Sequence, residues 1–175
     1  PKEIDNWIKE AEEVGEVAVD TETSSLDPHQ ADLLGVSLSS KIGKACYIPI
    51  GHNSKKCIKK DIVLKKLKPL LEDPSIKKIG QNIKFDFIVL FKHGINISSM
   101  EDTMLMSYVL DAGKNRHNMD ILSEIHLNHK TIGFKDLVGS GKKEINFSEV
   151  DIEKAKDYAA EDADITFRLY KKFLK

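Results

Sequence analysis

Apolar residues recur at helical spacing from the start of the chain. Ile4, Trp7, Ile8, Ala11 and Val14 fall on one face of a helix predicted over Glu3–Val14, which Gly15 ends. The period then shortens. Glu16–Thr21 reads as a buried Val-rich strand, followed by strands at Leu33–Ser39 and Ala45–Ile50 with a Gly-containing connection at Lys41–Lys44. Together they predict an antiparallel meander. A helix follows at Ile62–Leu71, with Asp61 as its expected N-cap and Asp73-Pro74 as its stop. Ile76–Gly80 predicts a strand, leading into a helix from Ile83 to about Lys92 that Gly94 closes. Ile95–Ser99 is a further strand candidate, Met100–Leu110 an amphipathic helix, and Asn118 the expected cap of a helix through His126. Asn128–Ser148, rich in Gly and Lys, has the least regular pattern. A long helix is predicted from about Asp151 onward. Strands first, then strands alternating with helices, predict one α/β domain over residues 1–175 with a mixed sheet.

Composition narrows the function classes. With 175 residues, 41% of them hydrophobic, the chain can bury one sizeable core. A net charge of −1 excludes holding nucleic acid through bulk positive charge, so a local site and metal ions must carry any such contact. Cys46 and Cys57 lack metal-ligand or redox spacing and read as reduced thiols of a cytoplasmic protein rather than a disulfide. No apolar run approaches membrane-spanning length and no signal peptide is visible, so no membrane partner is expected. Pro1 in place of Met, and a helical pattern still running at Lys175, suggest a piece of a longer chain.

Four carboxylates and a tyrosine stand in apolar surroundings: Asp20 and Glu22 in VAVDTET, Asp86 in QNIKFDF, Tyr158 and Asp162 in DYAAEDAD. Asp20 and Glu22, two apart at a strand end, project from one face, where α/β sheets commonly bind ligands. Two solvated acids at a sheet rim would share that spacing. Asn82 and Asp86 lie four apart at a helix start; capping explains Asn82, but Phe85, Phe87, Ile88 and Leu90 leave Asp86 little exposed surface. Tyr158 and Asp162 share a helix face beside the small Ala159 and Ala160, whereas Glu161 and Asp164 point elsewhere. Carboxylates gathered in a fold resist ionising unless a cation lies between them, and hard oxygen ligands suit Mg²⁺ or Mn²⁺. The chemistry indicated is metal-assisted attack of water on a phosphodiester. His52, His93, His117, His126 and His129 show no competing ligand pairing, and the lysines of 55–68 read as a solvated face.

The order D-x-E, N-x-x-x-D, Y-x-x-x-D resembles the 3′–5′ exonucleases. DTETSSLDP, GQNIKFDF, EDTMLMSYVLD, NRHNMDIL, HKTIGFKDL and YAAEDADITF extend the resemblance to the proofreading exonuclease domain of bacterial DNA polymerase I, over nearly the whole chain from about Gly15. The resemblance implies a ribonuclease H-like mixed sheet with helices on both sides. It implies two divalent metal ions, Mg²⁺ or Mn²⁺. Asp20, Glu22 and Asp162 hold one; Asp20 also reaches the second, which Asp86 supports through water. Tyr158 positions the attacking water, since a phenol pKa of about 10 makes it a poor base. Leu26 matches a wedge against terminal bases; Thr23, Gln81, Asn82 and Lys84 match positions near the substrate backbone; Arg116 and Phe134 match substrate-side positions. Some relatives have lost the metal-binding acids and are inactive; all four are present here, so activity is expected. The implied substrate is the single-stranded or frayed 3′ end of DNA, without sequence preference, and the implied partner a covalently attached polymerase domain. The domain itself is expected to be monomeric and nucleoid-associated in a bacterial cytoplasm. Two other readings share these acids or this architecture: an RNA-trimming 3′ exoribonuclease, and a silent module bracing a polymerase.

Overall fold

In β1 (Glu16–Thr23) the side chains alternate between two different surroundings, and that alternation organises the fold. The computed structural model describes residues 2–175. Val17 and Val19 join Val36 and Leu38 of β2 (Leu33–Lys41) and Ile48 of β3 (Lys44–Pro49) on one face of the sheet. That face packs on α1 (Lys2–Val14), α2 (Lys60–Glu72) and α3 (Ile83–Phe91) through Ile4, Ala11, Val63, Leu67, Val89 and Leu90. β4 (Lys77–Gly80) and β5 (Met100–Asp102) complete a five-stranded sheet of order β3-β2-β1-β4-β5. β3, β2 and β1 run antiparallel, as the meander predicts, while β4 and β5 are parallel to β1. The sheet is therefore mixed, with helices on both sides.

The chain continues through α4 (Thr103–Asp111), α5 (Met119–Leu127), the short α6 (Phe134–Val138) and two 3₁₀ turns into α7 (Ile152–Phe173). α7 covers the second face of the sheet. Ala155, Ala159 and Ala163, one helical turn apart, are fully buried, and the opposing β2 offers Gly35, Ser37 and Ser39. These small residues let α7 lie close across the strands. A Cβ on Gly35 would sit 2.2 Å from the Tyr47 ring, so this position has no room for a side chain.

Several expected boundaries move. Asp61 lies in the first turn of α2, where a carboxylate suits the helix dipole, but the cap position is Lys59 and no side chain caps it. Ile95–Ser99 is not a strand. Ile95 and Ile97 are buried in an irregular segment, and pairing with β4 begins only at Met100. The following helix accordingly starts at Thr103 rather than Met100, because Asp102 takes the cap and accepts from the Met104 N–H at 2.9 Å. Asn118 occupies the cap position of α5 without a side-chain bond. β1 reaches Thr23, two residues beyond the expected end, which places Glu22 within the strand.

Candidate active site

The end of β1 lies between α7 on one face of the sheet and α3 on the other, and both helices deliver acids to it. Oxygens of Asp20, Glu22 and Asp162 lie within 4.8 Å of one another. Glu22 and Asp162 are buried and Asp20 partly so; Glu22 Oε1 is buried without a hydrogen-bond partner. Asp86 approaches from α3 and is also buried. Its Oδ1 accepts from the Thr21 N–H at 2.9 Å and the Thr21 hydroxyl at 2.6 Å. Glu161 and Asp164, which helical spacing sets apart from Asp162, bond instead to His129 with the Ile132 N–H, and to the Gly43 N–H.

Crowding leaves its mark on every acid. Burial, then the charges of Asp86, Glu22 and Asp162, hold Asp20 well above the usual carboxylate range; burial, Asp162 and Asp86 do the same to Glu22. Burial pushes Asp86 up to about 7 against the opposing pull of the Thr21 bonds. Asp162 is likewise pushed by burial to about 7, with the Tyr158 hydroxyl pulling the other way. Four such groups cannot all ionise at neutral pH without a counter-charge. The unbonded Glu22 oxygen and an all-carboxylate donor set fit a hard divalent cation. Among the described residues, this is the one group of three His, Cys, Asp or Glu side chains placed to share an ion.

The family model described as 3′–5′ exonuclease matches residues 1–175. DNA polymerase I of Pseudomonas aeruginosa is 46% identical over 173 residues, covering 95% of this chain and 19% of its own length. DNA polymerase I of Rhizobium leguminosarum is 45% identical over 188 residues, covering 95% and 18%. The chain belongs to the 3′–5′ exonuclease family of DNA polymerase I. It spans about a fifth of the length of those two curated relatives. Among solved structures, Brucella melitensis NrnC with bound Mg²⁺ is 28% identical with a TM-score of 0.68, over 91% of this chain and 72% of that one. The mixed sheet of this exonuclease domain, flanked by helices, is ribonuclease H-like.

A cleft of about 990 Å³ opens onto the acids of the exonuclease domain. Thr23, Leu26, Gln81, Asn82, Phe134 and Tyr158 line it together with the four carboxylates. Lys84, exposed on α3, and Arg116, exposed between α4 and α5, lie outside that lining. Leu26 is 94% exposed at a loop tip, so core packing does not account for it. Phe134 is half-exposed and stacks on Phe147 at 6.0 Å, with Tyr158 also 6.0 Å away.

Asn82 does not cap α3 with its side chain, although it holds the cap position with φ +60°. Asp102 does that work from β5, accepting from the Asn82 and Ile83 N–H groups at 2.9 and 3.1 Å. The Asn82 amide is thereby released to the cleft. Asp102, Thr21 and the lining residues Asn146 and Phe147 were not read as site residues from sequence. Thr21 bonds a partner 65 positions away, and the 128–148 stretch has no periodic pattern to mark its inward residues. Cys46 and Cys57 are free thiols, and burial pushes Cys46 up to about 12, leaving it inert. No described helix is long and apolar enough to cross a membrane.

Proposed function

We propose that this domain is a divalent-metal-dependent exonuclease that releases nucleoside 5′-monophosphates from the 3′ end of single-stranded or frayed DNA. In a full-length polymerase it would remove misincorporated ends. The observation that carries this reading is the meeting of Asp20, Glu22 and Asp162 within 4.8 Å, beside buried Asp86. Asp20, Glu22 and Asp162 would hold one cation; Asp20 would also reach a second, supported by Asp86. When bound, such ions neutralise charge on the phosphodiester and acidify a coordinated water.

The chain's own residues orient the reaction. Thr21 occupies one oxygen of Asp86 with two donors and so fixes which oxygen faces the cleft. Burial pushes the Tyr158 phenol far above its ordinary value, so Tyr158 Oη keeps its proton and orients water rather than deprotonating it. The Asn82 amide is available to a phosphate oxygen. Leu26 and Phe134 present apolar surface on which bases can stack irrespective of sequence. A paired end must first be opened, at a cost of a few kcal/mol that is smaller at a mismatch, and that difference favours incorrect ends.

The test is degradation of a 5′-labelled single-stranded DNA with Mg²⁺ or Mn²⁺, beside the same RNA sequence and an Asp20→Ala control. The expected result is a ladder shortening from the 3′ end of DNA and absent in the variant. Preference for RNA would move the domain to the ribonucleases. Cleavage of neither by a folded domain would favour a silent module.

A further inference from the structure

Ser37 stands directly opposite Asp20 in the ladder between β1 and β2. Residues paired in this way across antiparallel strands point to the same side of the sheet, with Cβ atoms about 5 Å apart. Asp20 and Ser37 therefore share the face that α7 covers, in one row with Tyr47, which pairs with Ser37 from β3. Ser37 is fully buried, and its Oγ has no hydrogen-bond partner among the described residues. Close packing of α7 asks only for a small side chain at this position, and alanine would meet that need without a hydroxyl to desolvate. Ser39, two residues further along the same face, differs: its Oγ donates to the Lys44 carbonyl at 3.0 Å. On the β3 side of Ser37, Tyr47 Oη is engaged with His52 Nε2 at 2.6 Å. The acceptor directly across the ladder is the Asp20 carboxyl.

We propose that Ser37 is a positioning residue for Asp20, its hydroxyl donating to the Asp20 carboxylate when that group ligates a divalent cation. A carboxylate that turns its oxygens toward cations is held in that orientation by a donor on its flank, and such partners raise metal affinity without touching the metal. The bond is stronger to an ionised acceptor than to a neutral one, so the hydroxyl gains most when the cation keeps Asp20 charged. A change of staggered rotamer moves Oγ without displacing the strand. Ser37 touches neither cation nor substrate; it acts through Asp20. The inference rests on the metal centre proposed above.

The experiment measures Mn²⁺ affinity by electron paramagnetic resonance for wild type, Ser37→Ala, Ser37→Cys and Ser39→Ala, beside thermal unfolding of each in EDTA. Ser37→Ala is expected to weaken Mn²⁺ binding about 10-fold. Its Tm in EDTA is expected to be no lower than that of wild type, because the substitution removes a buried hydroxyl that lacks a partner. Ser37→Cys keeps the position filled but offers only a weak donor, so its Kd should rise by a similar factor. Ser39→Ala should bind Mn²⁺ as wild type does. An unchanged Kd in folded Ser37→Ala or Ser37→Cys would overturn the proposal. So would an equal loss in Ser39→Ala, which would assign the effect to the packing of α7 on β2 and not to the hydroxyl. Failure of wild type to bind Mn²⁺ would refute the metal centre and this proposal with it, whereas tight binding by both wild type and Ser37→Ala would overturn the role of Ser37 alone.

Discussion

Asp86→Asn should stabilise the metal-free domain, because it removes a charge that the fold tolerates poorly. The substitution is nearly isosteric, and an amide oxygen can still accept from the Thr21 N–H and hydroxyl that now bond Oδ1. In the native protein the Asp86 carboxyl titrates at about 7, against an ordinary value of 3.8. Between those values the folded state keeps a proton that the unfolded chain has released. Stability therefore falls as pH rises through that window, and the whole penalty is present above it. Three pKa units correspond to about 4 kcal/mol, and since four acids share the repulsion, about 1–3 kcal/mol is expected from one substitution. For a domain of this size that is a rise in Tm of about 2–12 °C. The assay is thermal unfolding by circular dichroism in EDTA. The variant should melt above wild type at pH 8, and the gap should narrow steadily towards pH 4. Saturating Mn²⁺ should raise wild type more than the variant. A metal-free variant that melts at or below wild type at pH 8, or a gap that widens on acidification, would refute the reasoning.

Three further outcomes follow from the same geometry. Tyr158→Phe should lower kcat by about 10–100-fold while leaving the pH profile of the remaining activity in place, because the phenol holds its proton; a lost alkaline or neutral limb would contradict this. Leu26→Trp should sharpen the preference for mismatched over paired 3′ ends and leave Tm within about 1–2 °C, given the exposure of that position; equal rates on paired and mismatched ends in wild type would count against a wedge. Gly35→Ala should destabilise the domain by about 1–3 kcal/mol in urea unfolding, because the new methyl meets the Tyr47 ring; an unchanged midpoint would show that β3 yields.

Much of the site was legible because its chemistry follows short periods. Alternation along β1 put Asp20 and Glu22 on one face, and the one-turn spacing of Tyr158 and Asp162 separated Asp162 from Glu161 and Asp164. Other features depend on pairings that no local pattern encodes. β5 is three residues long, too short to show a period, so Ile95 and Ile97 imitated a strand in its place. Asp102 caps α4 locally, but its bonds to the start of α3 reach across from the neighbouring strand, so Asn82 read as a cap when its amide is free. The anchoring of Gln81 to His117 joins residues 36 apart, so the resemblance that set Gln81 near a substrate backbone carried no sign that its amide is bonded inside the protein.

Manganese binding to the isolated domain, followed by electron paramagnetic resonance, addresses the metal centre directly. Wild type should bind Mn²⁺ saturably, and Asp20→Ala should lose that binding while remaining folded. Equal binding by the two proteins, or none by wild type, would contradict a metal centre built on Asp20, Glu22 and Asp162.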